Sequence, residues 1–261
     1  MISAINKDGK QRTYKYDGKA DNAEINLALS RAGTITLDPG VTYDIANSLL
    51  FPSDTTLDGQ GATLKLAKGL PVWGGPHVSI SQEKAMLMAV PSCKNITLKN
   101  LIIDGSQSDY YPKIKLGTSC YNMATFIKVS GLTIENVTFK NGCNDAILIS
   151  GSNYILIDKI RVDKCGHDGI YAYNCGTISV NNSRFINRTN SSCRFYNVSG
   201  GEFINNECST SGGGYCGLEL EGKVTNIECS GNIWHTMPGG GVAYVNAVKK
   251  NVNIHDNKNV K

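Results

Sequence analysis

Three stretches decide the fold: Val137-Thr-Phe-Lys-Asn-Gly-Cys-Asn-Asp145-Ala-Ile-Leu-Ile149, Ile160-Arg-Val-Asp-Lys-Cys-Gly-His-Asp168-Gly-Ile-Tyr-Ala172 and Ser183-Arg-Phe-Ile-Asn-Arg-Thr-Asn-Ser191-Ser-Cys-Arg-Phe195. Placed in register, Asp145, Asp168 and Ser191 stand 23 residues apart. Leu132, Ile155 and Ile178 keep the same interval, as do Ile147, Ile170 and Cys193. A fixed period of this size marks a repeat architecture in which each unit contacts only its neighbours. Within each repeat, runs of alternating apolar and polar residues read as half-buried strands, separated by the turn formers Asn, Gly, Asp and Ser. Such short strands cannot close a sheet alone, but stacking coil on coil pairs each one at ~4.8 Å. The expectation is an all-β fold: a right-handed single-stranded parallel β-helix. Leucine-rich repeats need a different Leu/Asn pattern, and WD-type blades need a period of ~40 or more.

Weaker copies run from Gly201 to Glu221 and from Gly231 to Val245. An earlier one, Asn95 to Gly105, is followed by an insertion rich in Tyr and Lys from Ser106 to about Asn122. Upstream, Asp21 with Glu24 three residues on, then Ile25, Leu27 and Leu29, then Gly33, reads as a short amphipathic helix with a capping box and a stop signal. It would cap the first coil, since open stack ends expose unpaired strand edges. The chain thus reads as a single β-helix domain over 1–261. Residues 1–33 form the N-terminal arm and capping helix, 34–250 the stacked coils, and 251–261 a last partial coil or tail. The cysteines follow the same period: Cys120 to Cys143 and Cys193 to Cys216 are 23 apart, and Cys143 to Cys165 is 22. Inward-facing stacked Cys act as small core residues; a disulfide or a reactive thiol is the other reading.

A chain of 261 residues with 41% hydrophobic content has enough apolar mass for a sizeable core, and 28 glycines with only 8% aromatics suit many turns around a slim one. The net charge of +4 comes from scattered lysines, without the clustered stripe of a nucleic-acid binder, and is compatible with an acidic polysaccharide. No apolar run approaches the ~20 residues that span a bilayer. Met1 to Asp8 shows no secretory signal, although an extracellular or cell-surface location follows from the function argued below.

The chemistry lies on the strand after each Asp145-type turn. Ile147 and Ile149, Ile170 and Ala172, and Cys193 and Phe195 point inward, so their neighbours point out. The outward column reads Leu148, Tyr171, Arg194, and beside it Ser150, Tyr173, Tyr196; Glu219 and Glu221 follow on the next coil and Tyr244 on the last. Tyrosine faces stack on sugar rings, and arginine pairs bidentately with a carboxylate. Asp145 and Asp168 become vertical neighbours roughly 5 Å apart. Two carboxyls that close do not both ionise easily, leaving a proton donor beside an acceptor, with His167 as a third titrating group. A turn-forming Asp ladder without chemistry would show the same spacing. His77 and His235 read as ordinary surface or loop residues. No metal or cofactor is called for; the Asp104-Gly105 turn carries oxygens that calcium takes, in a pattern not specific to it.

At these residues the sequence resembles the pectin-lyase-like superfamily of carbohydrate-active β-helices. The order Asn144-Asp145, Gly166-His167-Asp168-Gly169 and Arg194-Phe195-Tyr196 is similar to that of polygalacturonase-type hydrolases. That resemblance implies Asp145 as an acid/base carboxylate, His167 as its support and Arg194 as a binder of the substrate carboxylate. The chain departs from the pattern at Tyr121-Asn122-Met123, at Asn144 and at Tyr196, while Asp168 is an addition. A second set also resembles the catalytic domain of archaeal disaggregatases: Pro39 to Ile45, Trp73-Gly-Gly-Pro76, Gly166 to Gly169 and Asn187 to Ser191. It implies a site lined by Trp73, His167, Asp168, Arg188 and Arg194. Together these readings predict an enzyme cleaving an acidic, uronate-containing polysaccharide by hydrolysis or β-elimination. Its catalytic residues would be Asp145, His167, Asp168 and Arg194. Substrate would be bound by Trp73, Tyr171, Tyr173, Arg188, Tyr196, Glu219 and Glu221. Two alternatives stay open: a non-catalytic glycan-binding or surface-structural β-helix of a tail fibre or envelope, and a uronate C5-epimerase.

Overall fold

The computed structural model describes residues 1–31, 33–68, 85–89, 92–110, 121–186, 189–209 and 214–260. The 23-residue period becomes vertical neighbours. Ile147 pairs with Ile170, Ile170 with Cys193 and Cys193 with Leu218, all in parallel. A second column runs Leu132, Ile155, Ile178, Gly201. A third runs Phe139, Val162, Phe185, Cys208. Three columns on three faces make a parallel β-helix whose interior is a single apolar file. Phe126, Phe139, Phe185, Phe195 and Phe203 are fully buried in it, and Phe203 stacks on Trp234 at 5.9 Å.

The corners explain the abundance of asparagine. Asn100, Asn136, Asn174 and Asn197 adopt left-handed backbone with φ between 52° and 55°, a region in which Asn is tolerated and most side chains are not. Their amides also link coil to coil, Asn136 to Asn100 at 2.8 Å and Asn197 to Asn174 at 2.9 Å. Asn136-Val-Thr138 and Asn197-Val-Ser199, which match the Asn-x-Ser/Thr glycosylation triplet, thus have a structural cause.

The N-terminal end differs from the expectation. The helix spans Asn22–Leu29 and buries Ile25, Ala28 and Leu29, but Leu27 faces solvent at 52% exposure. Asp21 does not cap it. Its backbone is helical (φ −59°, ψ −8°), and its carboxylate instead accepts N–H bonds from Gly18 and Asp44, each at 2.8 Å. Ahead of it, Ile2–Ile5 pairs antiparallel with Gln11–Tyr14 and with Gly33–Thr36. This hairpin, invisible in the period, covers the first strand edge. At the other end strands continue through Lys258–Val260, which pairs in parallel with Ile233–His235. The cysteine file is only partly as expected. Cys165, Cys193 and Cys216 are buried, whereas Cys143 is in a disulfide. Cys216 stands over Ser191 at 3.3 Å rather than over Cys193, because the coils lengthen beyond 23 residues there.

Phe185 sits between Val162 and Cys208 with no exposed surface. Phe185→Ala is expected to cost ~3–5 kcal/mol, the range for truncating a buried aromatic, measured as a lowered urea midpoint at unchanged slope.

Candidate functional site

The turn preceding each outer strand carries a column of side chains bonded to the next coil's backbone. The Asp145 N–H donates to Asn122 Oδ1 at 3.2 Å, the Asp168 N–H to Asp145 Oδ1 at 2.9 Å, and the Ser191 N–H to Asp168 Oδ1 at 3.0 Å. Ser191 Oγ then donates to Glu219 Oε2 at 2.6 Å. All five residues are buried, Asp145 at 2% exposure and Asp168 at 0%. A hydrogen bond to each buried oxygen is what burial requires.

One oxygen escapes that rule. Asp168 Oδ2 is buried and accepts no hydrogen bond. Its nearest cations are His167 Nδ1 at 3.5 Å and Arg194 Nη1 at 3.8 Å. Burial pushes the Asp168 carboxyl well above the usual carboxylate range; His167 and Arg194 oppose this, and Asp145 adds to it. The His167 ring lies 2.8 Å from Asp145 Oδ1. Burial alone would lower its pKa, but the bond to Asp145 and the charges of Asp168 and Asp145 outweigh that and raise it to about 9. His167 therefore carries its proton at neutral pH. Asp145, His167 and Asp168 each place a ligand-type atom within 4.8 Å of the others. They could hold a metal ion, but His167 Nδ1 is here committed to Asp145.

Arg194 stands on Tyr171 in register, its guanidinium 4.8 Å from the ring centre. Its Nε donates to Glu221 Oε2 at 2.9 Å, its Nη2 reaches the same carboxylate, and Nε lies 3.4 Å from Glu219 Oε1. The cluster thus sets four carboxylates, Asp145, Asp168, Glu219 and Glu221, around two cations. Alongside, Tyr171 and Tyr173 lie 6.2 Å apart and Tyr173 and Tyr196 4.9 Å apart, all half-buried.

The structure brings nine of the expected residues together: Asp145, His167, Asp168, Tyr171, Tyr173, Arg194, Tyr196, Glu219 and Glu221. Trp73, Arg188 and His77 lie outside the described residues. Glu219, at 5% exposure, braces Arg194 and Ser191 from within. Leu148 points outward but is 1% exposed, as is Thr125 beneath it, so the outer face is covered at that level. Tyr244 leaves the column. It pairs with the inward Leu220 and is 45% exposed. His235 pairs with Glu207 at 3.0 Å. The Asp104 oxygens are taken by the Ser106 N–H, Asn141 and Lys140, the last at 3.4 Å, which is not an open calcium site. Asn190 was not anticipated: its amide donates to Asp168 Oδ1 at 2.8 Å. Its position one period after His167 was the available signal.

A family model described as right handed beta helix region matches residues 124–261. The chain belongs to this right-handed β-helix family. No curated protein matches this β-helix. Solved structures share its fold. An endo-xylogalacturonan hydrolase from Aspergillus tubingensis superposes with a TM-score of 0.75 at 18% identity, covering 95% of this chain and 73% of that one. An exopolygalacturonase from Thermotoga maritima gives 0.66 at 16%, covering 93% and 73%. The pre-mature gene product 12 of bacteriophage phi29 gives 0.71 at 14%, covering 86% of this β-helix and 33% of its own chain. At these identities the neighbours share the parallel β-helix fold that the period predicted.

His167 gains partners on folding, so its pKa rises from an ordinary 6.5 to about 9. The stability it contributes is complete below pH 6.5 and is lost as pH climbs through 9. Thermal unfolding of the wild type is expected to weaken between pH 6.5 and 9, and the weakening in that window to shrink in His167→Asn.

Proposed function

We propose that the protein is a glycoside hydrolase acting on an acidic, pectin-like polysaccharide laid along Tyr171, Tyr173 and Tyr196, with Asp145 and Asp168 as its carboxyl pair. The observation that carries this is the buried Asp168 Oδ2, which accepts no hydrogen bond, beside a second carboxyl. A carboxyl kept neutral by burial is a general acid poised for a glycosidic oxygen. Asp145 is the second carboxyl, facing the developing oxocarbenium ion. One of its oxygens lies within 4.8 Å of an oxygen of Asp168, closer to the ~5–5.5 Å carboxyl separation of retaining enzymes than to the ~6.5–9.5 Å of inverting ones. His167 and Arg194 lie over Asp168, so a bound glycan must turn one of them aside. The hydrolase names of two similar structures support the substrate class, and such a substrate places the protein outside the cell or at its surface.

Electrostatics favours hydrolysis over elimination or epimerisation. Both of those need a base to take the proton next to the uronate carboxylate and a cation to neutralise it. His167 already holds its proton, and Arg194 is already neutralised by Glu221 and Glu219.

A second reading, a non-catalytic glycan-binding β-helix, is favoured by one observation: both aspartates are buried and each gives an oxygen to the ladder. Asp168→Asn separates the two, because the amide oxygen still accepts from Ser191 while the acid is lost. With pectic polysaccharide as substrate, wild type is expected to release reducing ends without unsaturated-uronide absorbance. Asp168→Asn should lose at least ~100-fold of that rate, the scale of general acid catalysis, with an unchanged circular dichroism melt. Glycan binding by wild type with no new reducing ends would establish the binding reading instead.

A further inference from the structure

The corner that follows the tyrosine strand widens from coil to coil. From Tyr173 to its partner-column residue Ile178 the chain takes five steps, and from Tyr196 to Gly201 five again. The same corner takes six steps from Glu221 to Ile227 and seven from Val245 to Val252. Each added residue must bulge outward, since the strands on either side stay in register. The flared corner encloses a concavity of about 610 Å³. Its rim carries Lys223 and Lys250, and Asn197, Ser199, Asn226 and Asn251 line the rest. The asparagines are fixed: the Asn251 amide donates to Asn226 Oδ1 at 3.0 Å, and Asn197 Oδ1 accepts the Lys223 N–H at 2.8 Å. Both lysines are exposed, and among the described residues neither has an ion-pair partner. Asn197 directly follows Tyr196, and Gly222, next to Lys223, lies against the Tyr196 ring, so the concavity borders the tyrosine-bearing strands.

Charge is therefore divided along this face. Both cations of the Asp168 cluster, His167 and Arg194, are engaged by its own carboxyl groups, which leaves none free for an anion. The flared corner holds two unpaired ammonium groups beside amide donors. We infer that this corner is a subsite for the anionic unit of the glycan, a sugar carboxylate or sulfate, separate from the unit presented to Asp168. This rests on reading the chain as glycan-acting. It adds that the sugar at Asp168 turns no anionic group toward the carboxylates, while an anionic unit further along the strand is held by Lys223 and Lys250.

Calorimetric titration of the full chain tests it with three probes: hexagalacturonate, a sulfated galactan hexasaccharide and neutral galactohexaose. Wild type should bind an anionic probe more tightly than the neutral one, with affinity falling as salt is raised. Lys223→Ala with Lys250→Ala should weaken the anionic probe by about tenfold or more, the scale of a lost charge-assisted contact, and leave galactohexaose unchanged. The doubly Arg-substituted protein should retain the binding. The anionic probe that responds to the lysines identifies the group as carboxylate or sulfate. Equal affinity in wild type and the double alanine variant overturns the subsite, as does failure of wild type to prefer either anionic probe. Lysine-dependent binding without any cleavage would leave the subsite standing and remove the hydrolase reading; cleavage with lysine-independent binding would do the reverse.

Discussion

The structure depends on one repeated bond: a side-chain oxygen of one coil accepting the backbone N–H of the next. In the column Asn122, Asp145, Asp168, Ser191 three such bonds hold four successive coils in register. A parallel stack of short strands has little else to stop a slip of one residue, and a slip would turn every core side chain outward. The same bond fixes where the carboxyls stand. Coil spacing, set by backbone pairing, brings Asp145 and Asp168 close together, and burial beneath His167 and Arg194 then decides their protonation.

That coupling makes the cluster two things at once. Each aspartate gives Oδ1 to the ladder, so the column is structural. Asp168 Oδ2 is left over, buried and without a hydrogen bond, and such an oxygen is costly unless the group stays neutral. Neutrality is what an acid catalyst needs. The cost is partly offset by His167, whose cation is held between Asp145 and Asp168. Arg194 is similarly held, clamped by Glu221 and braced from beneath by Glu219 on a coil 25 residues later. The outward face therefore presents aromatic surface with its cations already engaged, and the available positive charge is displaced to the widened corner at Lys223 and Lys250.

What the sequence determined by itself was the period and everything that follows from translation along it: parallel stacking, the inward columns through Ile147 and Leu132, and the vertical adjacency of Asp145 with Asp168 and of Tyr171 with Arg194. Those relations need only equal spacing and strand alternation. Features that break the period were not legible: the N-terminal hairpin, the redirected carboxylate of Asp21, and the displacement of Tyr244 once the coils lengthen past Ser191. Nor could spacing tell which outward residues meet solvent. Glu219 and Leu148 alternate as outward positions yet are buried, since exposure depends on what neighbouring coils and loops place over them. Protonation belongs to the same class. Two aspartates 23 residues apart are equivalent in a string of letters, and only the three-dimensional arrangement makes them differ. It gives Asp145 a direct bond to His167 and leaves one oxygen of Asp168 with no hydrogen bond, because desolvation and charge are properties of surroundings assembled from distant parts of the chain.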